Sequence, residues 1–344
     1  MQMSRLEVRV MTKRSVLWAT EWALIGAACA LAACAGGADA PAGDSDGGDQ
    51  TPPNDSGAEG GGGDDCSERA KSVYLVSRYK AGADDASAPR LLRFDPPTKT
   101  ITEVGLLTCS ANPSHAPRSM AVDRQGIAWI LYDNGAIYRV DVADASCEAT
   151  TWPEAGQEGF TLFGMGFATN GGDTASETLF LSGAPMRDVA IPGPKPKLRN
   201  RIASLNTTTM TAAPRPNSYI GGAFELTGNA LGELWGFHPK FTIFVEESST
   251  FEGPYPAAIA RFNTETGDIA EEFEFPAIGE QGAFAFAFWG GAYYIFLADS
   301  ADPSGQSSVS RFDPVTEEIS DYMDDTGYRI AGAGVSTCAP VTIL

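Results

Sequence analysis

Histidine is nearly missing from this chain, which carries two in 344 residues, His115 and His238. Zinc sites and imidazole-based catalysis therefore have few residues to draw on. The six cysteines include no Cys-x-x-Cys pair and none stands beside a histidine, which excludes the common structural zinc modules. Neither a phosphate-cradling Gly-rich loop with its lysine nor a His-Glu-x-x-His motif occurs, and Asp299 and Asp302 are too sparse for a spaced calcium loop. Positive charge is short as well: 24 basic residues face 44 acidic ones, a formal net charge of −20. Such a chain repels phosphate backbones, which argues against nucleic-acid binding. Long apolar runs are also missing. Residues 22–33 make a run of about a dozen, short of the ~20 that span a bilayer. The apolar stretch 283–298 is split by Gly290-Gly291, as two buried strands and a turn would be.

What is present begins with an export pattern. Arg5, Arg9, Lys13 and Arg14 precede the uncharged segment from Trp22 to Ala33, with Glu21 at its upstream edge. A basic stretch, a short apolar core and small residues form a secretory signal. Met11 is an alternative start that would leave a compact basic region. The segment ends in Leu31-Ala32-Ala33-Cys34, which resembles the lipobox of bacterial lipoproteins position by position. The resemblance implies that residues 1–33 are removed, that Cys34 is acylated, and that the mature chain begins there. Cys29, behind Gly26-Ala27-Ala28, lacks the leucine. Acyl chains contribute ~0.8 kcal/mol per buried methylene, so several on one cysteine anchor a protein without a transmembrane helix. In that family the residue after the cysteine directs sorting. Ala35 in place of aspartate implies an extracytoplasmic protein anchored at the outer membrane or cell surface. An ordinary cleaved signal with an incidental Cys34 is the competing reading.

Residues 34–65 turn abruptly to Gly, Ala, Asp, Ser and Pro, lack aromatics, and carry charge of acidic sign alone. Such a segment has too little apolar surface to fold. A Gly-rich chain of this length spans ~30 Å r.m.s., and like charges stretch it further. It is expected to be a disordered tether, and its aspartates lack the fixed geometry a metal site needs. The first 33 residues carry a net +2 and residues 34–65 carry −8, which leaves about −14 on residues 66–344. That remainder is long enough for one well-buried domain.

The remainder repeats. Arg93-Phe94-Asp95-Pro96-Pro97-Thr98, Arg139-Val140-Asp141-Val142-Ala143-Asp144 and Ser204-Leu205-Asn206-Thr207-Thr208-Thr209 share one frame with Arg261-Phe262-Asn263-Thr264-Glu265-Thr266 and Arg311-Phe312-Asp313-Pro314-Val315-Thr316. Each is an alternating strand, an Asp or Asn, a polar residue three positions on, and a second strand. An Asp or Asn side chain at a turn start caps the following backbone amides. Upstream of four frames lies another strand pair, such as Ser119–Asp123 with Ala128–Tyr132, or Phe224–Thr227 with Leu234–Phe237. Four short strands per unit, at a period of about 45–65 residues, predict an all-β fold: a β-propeller of five four-stranded blades. A sixth blade hidden in the long connections stays open. The first unit lacks its innermost strand, and Gly332–Ser336 supplies one at the C-terminus, so the last strand is expected to close the ring. Four cysteines remain in this part, an even number that suggests disulfides in an exported protein. Ring closure pairs Cys66 with Cys338, and elimination leaves Cys109 with Cys147. The units around Gly126–Asp141 and Ile259–Ile269 resemble the repeat of streptogramin lyases and their kin, which implies the propeller framework. In those lyases activity depends on loop histidine and acidic residues around magnesium. No such constellation matches here, and the blade count differs.

Four connections from second to third strands are long: Arg78–Arg90, Ser182–Arg199, His238–Ala257 and Asp299–Ser308. Elaborated loops on a rigid frame are where binding concentrates. Arg187, Lys195, Lys197, Arg199 and Arg201 make one of them basic, suited to an anionic sugar, phosphate or lipid headgroup, or else a solvated loop balancing local acid. Phe241, Phe244, Phe251, Tyr255 and Trp289 either form an aromatic surface for a sugar or peptide or cover the core. His115 and His238 fall in connections on the same face, as a shared site or as surface residues. Glu225 lies on an innermost strand, where a channel carboxylate binds a cation, acts as a base with a raised pKa, or hydrogen-bonds its surroundings. No cofactor and no resident metal is implied, a divalent cation at Glu225 being the open alternative. The leading expectation is a monomeric, membrane-tethered, non-catalytic module that binds protein or glycan. The alternative is a propeller lyase or hydrolase using Glu225 with His115 or His238.

Overall fold

The computed structural model describes residues 66–80, 82, 87–171, 173–183, 199–245, 250–275, 278, 281–299 and 305–342. Cys34, the signal and the tether lie outside them, as do Arg187, Lys195 and Lys197.

A 3-10 turn at Glu68–Lys71 leads into β1 (Val73–Lys80), β2 (Arg90–Asp95) and β3 (Thr100–Leu106). The second sheet is β4 (Pro117–Val122), β5 (Ile127–Tyr132), β6 (Ile137–Asp141) and β7 (Cys147–Ala149). The third is β8 (Gly164–Asn170), β9 (Asp173–Gly183), β10 (Arg199–Asn206) and β11 (Thr211–Ile220). In the fourth, β12 (Glu225–Gly228) and β13 (Leu234–His238) are followed by an inserted hairpin, β14 (Phe241–Val245) and β15 (Thr250–Tyr255). The sheet then resumes with β16 (Ala257–Phe262) and β17 (Ile269–Phe275). The fifth is β18 (Gln281–Trp289), β19 (Ala292–Asp299), β20 (Ser308–Asp313) and β21 (Glu318–Met323). Last comes β22 (Tyr328–Gly334), which pairs antiparallel with β1 and completes the first sheet in the order β22-β1-β2-β3.

Five four-stranded antiparallel sheets therefore form a five-bladed β-propeller, closed by the C-terminal strand as the repeat pattern predicts. Each innermost strand touches the innermost strands of two neighbours, β22 with β4, then β8, β12, β18 and back. Burial falls outward along each blade: β12 is buried throughout and β22 nearly so, whereas β3 and β21 are mostly exposed or half-exposed. The apolar side chains form five clusters, one between each pair of adjacent blades. At the axis the blades converge so tightly that some positions tolerate no Cβ. One placed on Gly164 would stand 1.9 Å from the carbonyl oxygen of Phe224 in the next blade.

The repeated frame has a physical basis in each blade. The Asp or Asn side chain accepts backbone N–H groups of the following turn: Asn206 from Thr208 and Thr209, Asn263 from Glu265 and Thr266, Asp313 from Val315 and Thr316, and Asp141 from Ala143. Asp95 accepts the hydroxyl of Thr98 instead, at 2.6 Å. Four residues after that Asp or Asn, every frame has positive φ: Lys99, Ala145, Met210, Gly267 and Glu317. The frame arginine faces an aromatic residue across the pair of strands, as in Tyr74↔Arg93, Trp129↔Arg139, Trp235↔Arg261 and Tyr294↔Arg311. Arg139 and Arg261 lie over their tryptophan rings at 5.6 and 5.9 Å, a cation–π contact worth ~0.5–1 kcal/mol where exposed. In the third blade Ser204 replaces the arginine opposite Phe180, and Arg215 from β11 covers that ring.

Both cysteine pairs are bonded: Cys66–Cys338 spans 272 residues and Cys109–Cys147 spans 38. Around the first, Ser336 Oγ donates to the Ala70 carbonyl at 2.8 Å. The Trp289 indole N–H donates to the Lys71 carbonyl at 3.0 Å. Disulfides of this kind persist in oxidising compartments. Among the described residues no helix is long and apolar enough to cross a membrane.

Candidate functional site at the channel mouth

The five innermost strands all run from one face of the ring to the other. The links between blades and the second-to-third strand connections therefore share one face, the long-loop face. The tight turns after first and third strands share the opposite, turn face. A cavity of about 130 Å³ opens where the central channel meets the long-loop face. Its lining includes Arg78, Arg118, Phe163, Gly164, Glu225 and Phe284, drawn from all five blades together with Ala331 of β22.

Glu225 begins β12 and is 8% exposed. Its Oε2 accepts the Ser119 hydroxyl at 2.8 Å, and Ser119 Oγ accepts the Met165 amide at 3.0 Å. Burial raises its pKa to about 8, against the smaller opposing pull of the Ser119 hydrogen bond and the Arg118 charge. At neutral pH it is predominantly a neutral acid, able to donate as well as accept.

Arg118 stands on β4 beside it and is exposed. Among the described residues it has no ion pair and no hydrogen bond. Arg78, near the end of β1, pairs with Asp133 at 3.2 Å, and Asp133 also holds His115 Nδ1 at 3.1 Å. Burial, and secondarily the charge of Arg118, lowers the pKa of Arg78. Arg329 of β22 is buried and donates to the carbonyls of Gly305 and Asp299. The mouth thus gathers guanidinium groups around a neutral carboxyl, in a chain whose overall charge is strongly negative.

The two histidines do not join this carboxyl. His238 ends β13 rather than lying in a surface connection, and is 6% exposed. Its ring packs edge-on between Phe224 and Phe241, at 4.4 and 4.8 Å, and its Nδ1–H donates to the Pro239 carbonyl. Burial lowers its pKa to about 4, so it is neutral at physiological pH. His115 is tied to Asp133 and Asn112. Among the described residues neither histidine hydrogen-bonds Glu225.

The remaining sequence candidates scatter. Arg199 begins β10 and donates to Ser218 Oγ at 3.1 Å. Phe241 and Tyr255 stack at 5.0 Å on the inserted hairpin, a two-stranded element within the long connection from His238 to Ala257. Trp289 ends β18 on the turn face, away from the long loops, and its indole is committed to the Lys71 carbonyl. Sequence reading missed Arg78, Arg118 and Ser119 as site residues. The available signal was for Arg118, an arginine interrupting the apolar pattern of an innermost strand at its entry end.

Two other polar sites are closed. A second cavity of about 150 Å³ is lined by Arg139, Asp141 and Glu148, but Arg139 pairs with Glu148 and Asp141 with Arg69. On the turn face, burial raises Glu177 to about 7, and its oxygens accept the Arg124 amide and the Thr337 hydroxyl, both at 2.8 Å. Among the described residues no three metal-ligating side chains cluster.

No protein-family model matches the chain, and no curated protein does either. Among solved structures it is similar to TolB from Acinetobacter baumannii, at 12% identity and TM-score 0.41, over 78% of this chain and 67% of that one. It is also similar to the hydrazine synthase of Kuenenia stuttgartiensis, at 10% identity and TM-score 0.33, over 72% of this chain and 66% of that one.

Proposed function

We propose that this protein is an extracytoplasmic binding module, lipid-anchored through Cys34, held off the membrane by residues 35–65, and capturing a protein or glycan on the long-loop face. One observation carries the reading: the second-to-third strand connections and the open, arginine-lined channel mouth lie on the same face. The turn face is occupied by the closure of the ring itself. The lipobox-like Leu31–Cys34, the acidic tether and the two disulfides support export. In this reading the propeller is a rigid platform and its loops choose the ligand.

The anchor is tested by labelling cells with a fatty-acid analogue. Wild-type protein is expected to take up label and to fractionate with membranes, and Cys34→Ala to lose both. Binding is tested by shortening residues 184–198 or 242–254 in the full chain. Each variant should melt cooperatively near the wild type yet capture less partner from envelope extracts. Unchanged capture by both variants would reject the long-loop face.

A further inference from the structure

We propose that the channel mouth binds a compact oxyanion, a carboxylate or phosphate group borne by the ligand, clamped by Arg118 and Arg78 and met by Glu225 as hydrogen-bond donor. The inference rests on the long-loop face being the binding face and names the chemistry recognised at its centre.

Three observations converge. First, Arg118 stands at the rim with no ion pair or hydrogen bond among the described residues, in a chain carrying 44 acidic against 24 basic residues. Its charge acts on Glu225 and Arg78, but no carboxylate among the described residues pairs with it. Second, Arg78 reaches the same cavity from a different blade, and its partner Asp133 is shared with His115, which leaves guanidinium N–H groups for a ligand. Two forks on separate blades can close on one planar or tetrahedral oxyanion. Third, the acid at the back of the site is Glu225, buried but lining the cavity and already satisfied on Oε2 by Ser119. An ionised Glu225 would repel an anion; a neutral one offers it an O–H. Burial keeps it neutral at pH 7.

Size sets the class. A space of about 130 Å³ holds several waters or one compact charged group, and a larger ligand must extend onto the loops. Phe163, Phe284 and Leu162 supply an apolar wall, which strengthens charge-assisted hydrogen bonds by limiting water. Arg118 on β4 acts on Glu225 directly and Arg78 on β1 lines the same cavity, Arg78 in turn facing Arg329 on β22 and the Asp133–His115 pair, while His238 follows Phe237, the cross-strand partner of Glu225. The strands β8 and β18 contribute no charge to the lining. Anion binding therefore favours the protonated acid, and ionisation of Glu225 above about pH 8 should weaken it.

The test is titration calorimetry on the full-length protein with glucuronate, inorganic phosphate and neutral glucose. Saturable binding of glucuronate alone assigns a carboxylate-bearing sugar, binding of phosphate alone assigns a phosphate group, and glucose should not bind. Affinity for glucuronate, whose charge is constant over the range, should fall about tenfold or more between about pH 6.5 and about pH 9.5. Glu225→Gln, which mimics the neutral acid, should lose the pH dependence, its affinity at about pH 9.5 matching its own at about pH 6.5. Arg118→Ala should lower affinity at least about tenfold at both pH values, with Arg118→Gln as the second variant should the first fail to melt cooperatively. The proposal is overturned if neither anion binds, or if both Arg118 variants bind as the wild type does. Partner capture persisting in an Arg118 variant while loop shortening abolishes it would overturn the mouth and leave the loop face standing.

Discussion

Two glutamates, one buried and one half-buried, sit at opposite ends of this ring, and they differ in what they leave undone. Burial raises both, Glu177 to about 7 and Glu225 to about 8. Glu177, on the turn face, spends both oxygens on the fold: one accepts the Arg124 amide in the second blade, the other the Thr337 hydroxyl in the C-terminal segment. It is a bracket between distant parts of the chain. Glu225, at the mouth, binds Ser119 with one oxygen and turns toward a cavity flanked by arginines. A perturbed carboxyl is thus not in itself a sign of function. The distinction lies in its hydrogen-bond inventory: a group consumed by the fold holds structure together, and a group with capacity left over beside unpaired charge faces a ligand.

The comparison breaks most severely at the turn face. Replacing Cys66 and Cys338 together by serine should cost ~2–5 kcal/mol, because the bridge restrains nearly the whole unfolded chain. Thermal melts check this, and oxyanion binding by the folded fraction should be unchanged. Next comes the pH dependence of Glu225. The folded protein keeps a proton that the unfolded chain gives up near pH 4.5, so stability should fall as pH rises from there to about 8 and then level off. Denaturant titrations should show Glu225→Gln losing much of that fall and outlasting the wild type at alkaline pH. Glu177→Gln should gain less. It escapes a burial penalty of the same kind, but its amide nitrogen cannot accept the hydrogen bond that one carboxylate oxygen now takes, so its gain at pH 8 should be smaller by ~1–2 kcal/mol. If the two glutamine variants gain equally at pH 8, the two carboxyls are not different in kind. The smallest effect belongs to the turns. Glu317 holds a positive φ of 58°, and Glu317→Gly should raise stability by ~0.5–1 kcal/mol in chemical denaturation, the relief of strain exceeding the entropy that glycine adds to the unfolded chain.

The framework was legible because its signals are local. An Asp or Asn capping the next turn, and an alternating strand on either side, repeat within a dozen residues, and the missing first strand of the first blade pointed directly at the tail. The left-handed turn position escaped notice because its occupants are Lys99, Ala145, Met210, Gly267 and Glu317, with glycine in one frame of five. The mouth was legible in one residue out of four. Glu225 stood out as a charge within an apolar strand, but Arg118 and Ser119 open the innermost strand of one other blade and Arg78 ends the second strand of another, and nothing in a linear pattern says that these ends converge. His238 misled for the opposite reason. Read as a connection residue, it is covered by Phe224 on one side and by Phe241 of the unforeseen hairpin on the other.

Ring closure has a mechanical consequence for a protein pulled by its N-terminus. Traction applied along the residues before Cys66 enters the ring at that residue. Without the bridge it would bear on β1 through the Glu68–Lys71 turn and tend to peel the first blade open from one end. With Cys66 bonded to Cys338, the load divides at once between the two ends of the chain. One branch runs into β1 and the other into β22, and those strands are hydrogen-bonded to each other. Tension between the two branches therefore meets a covalent bond before it reaches the β1–β22 ladder, so the same bond that closes the circle also serves as its strain relief.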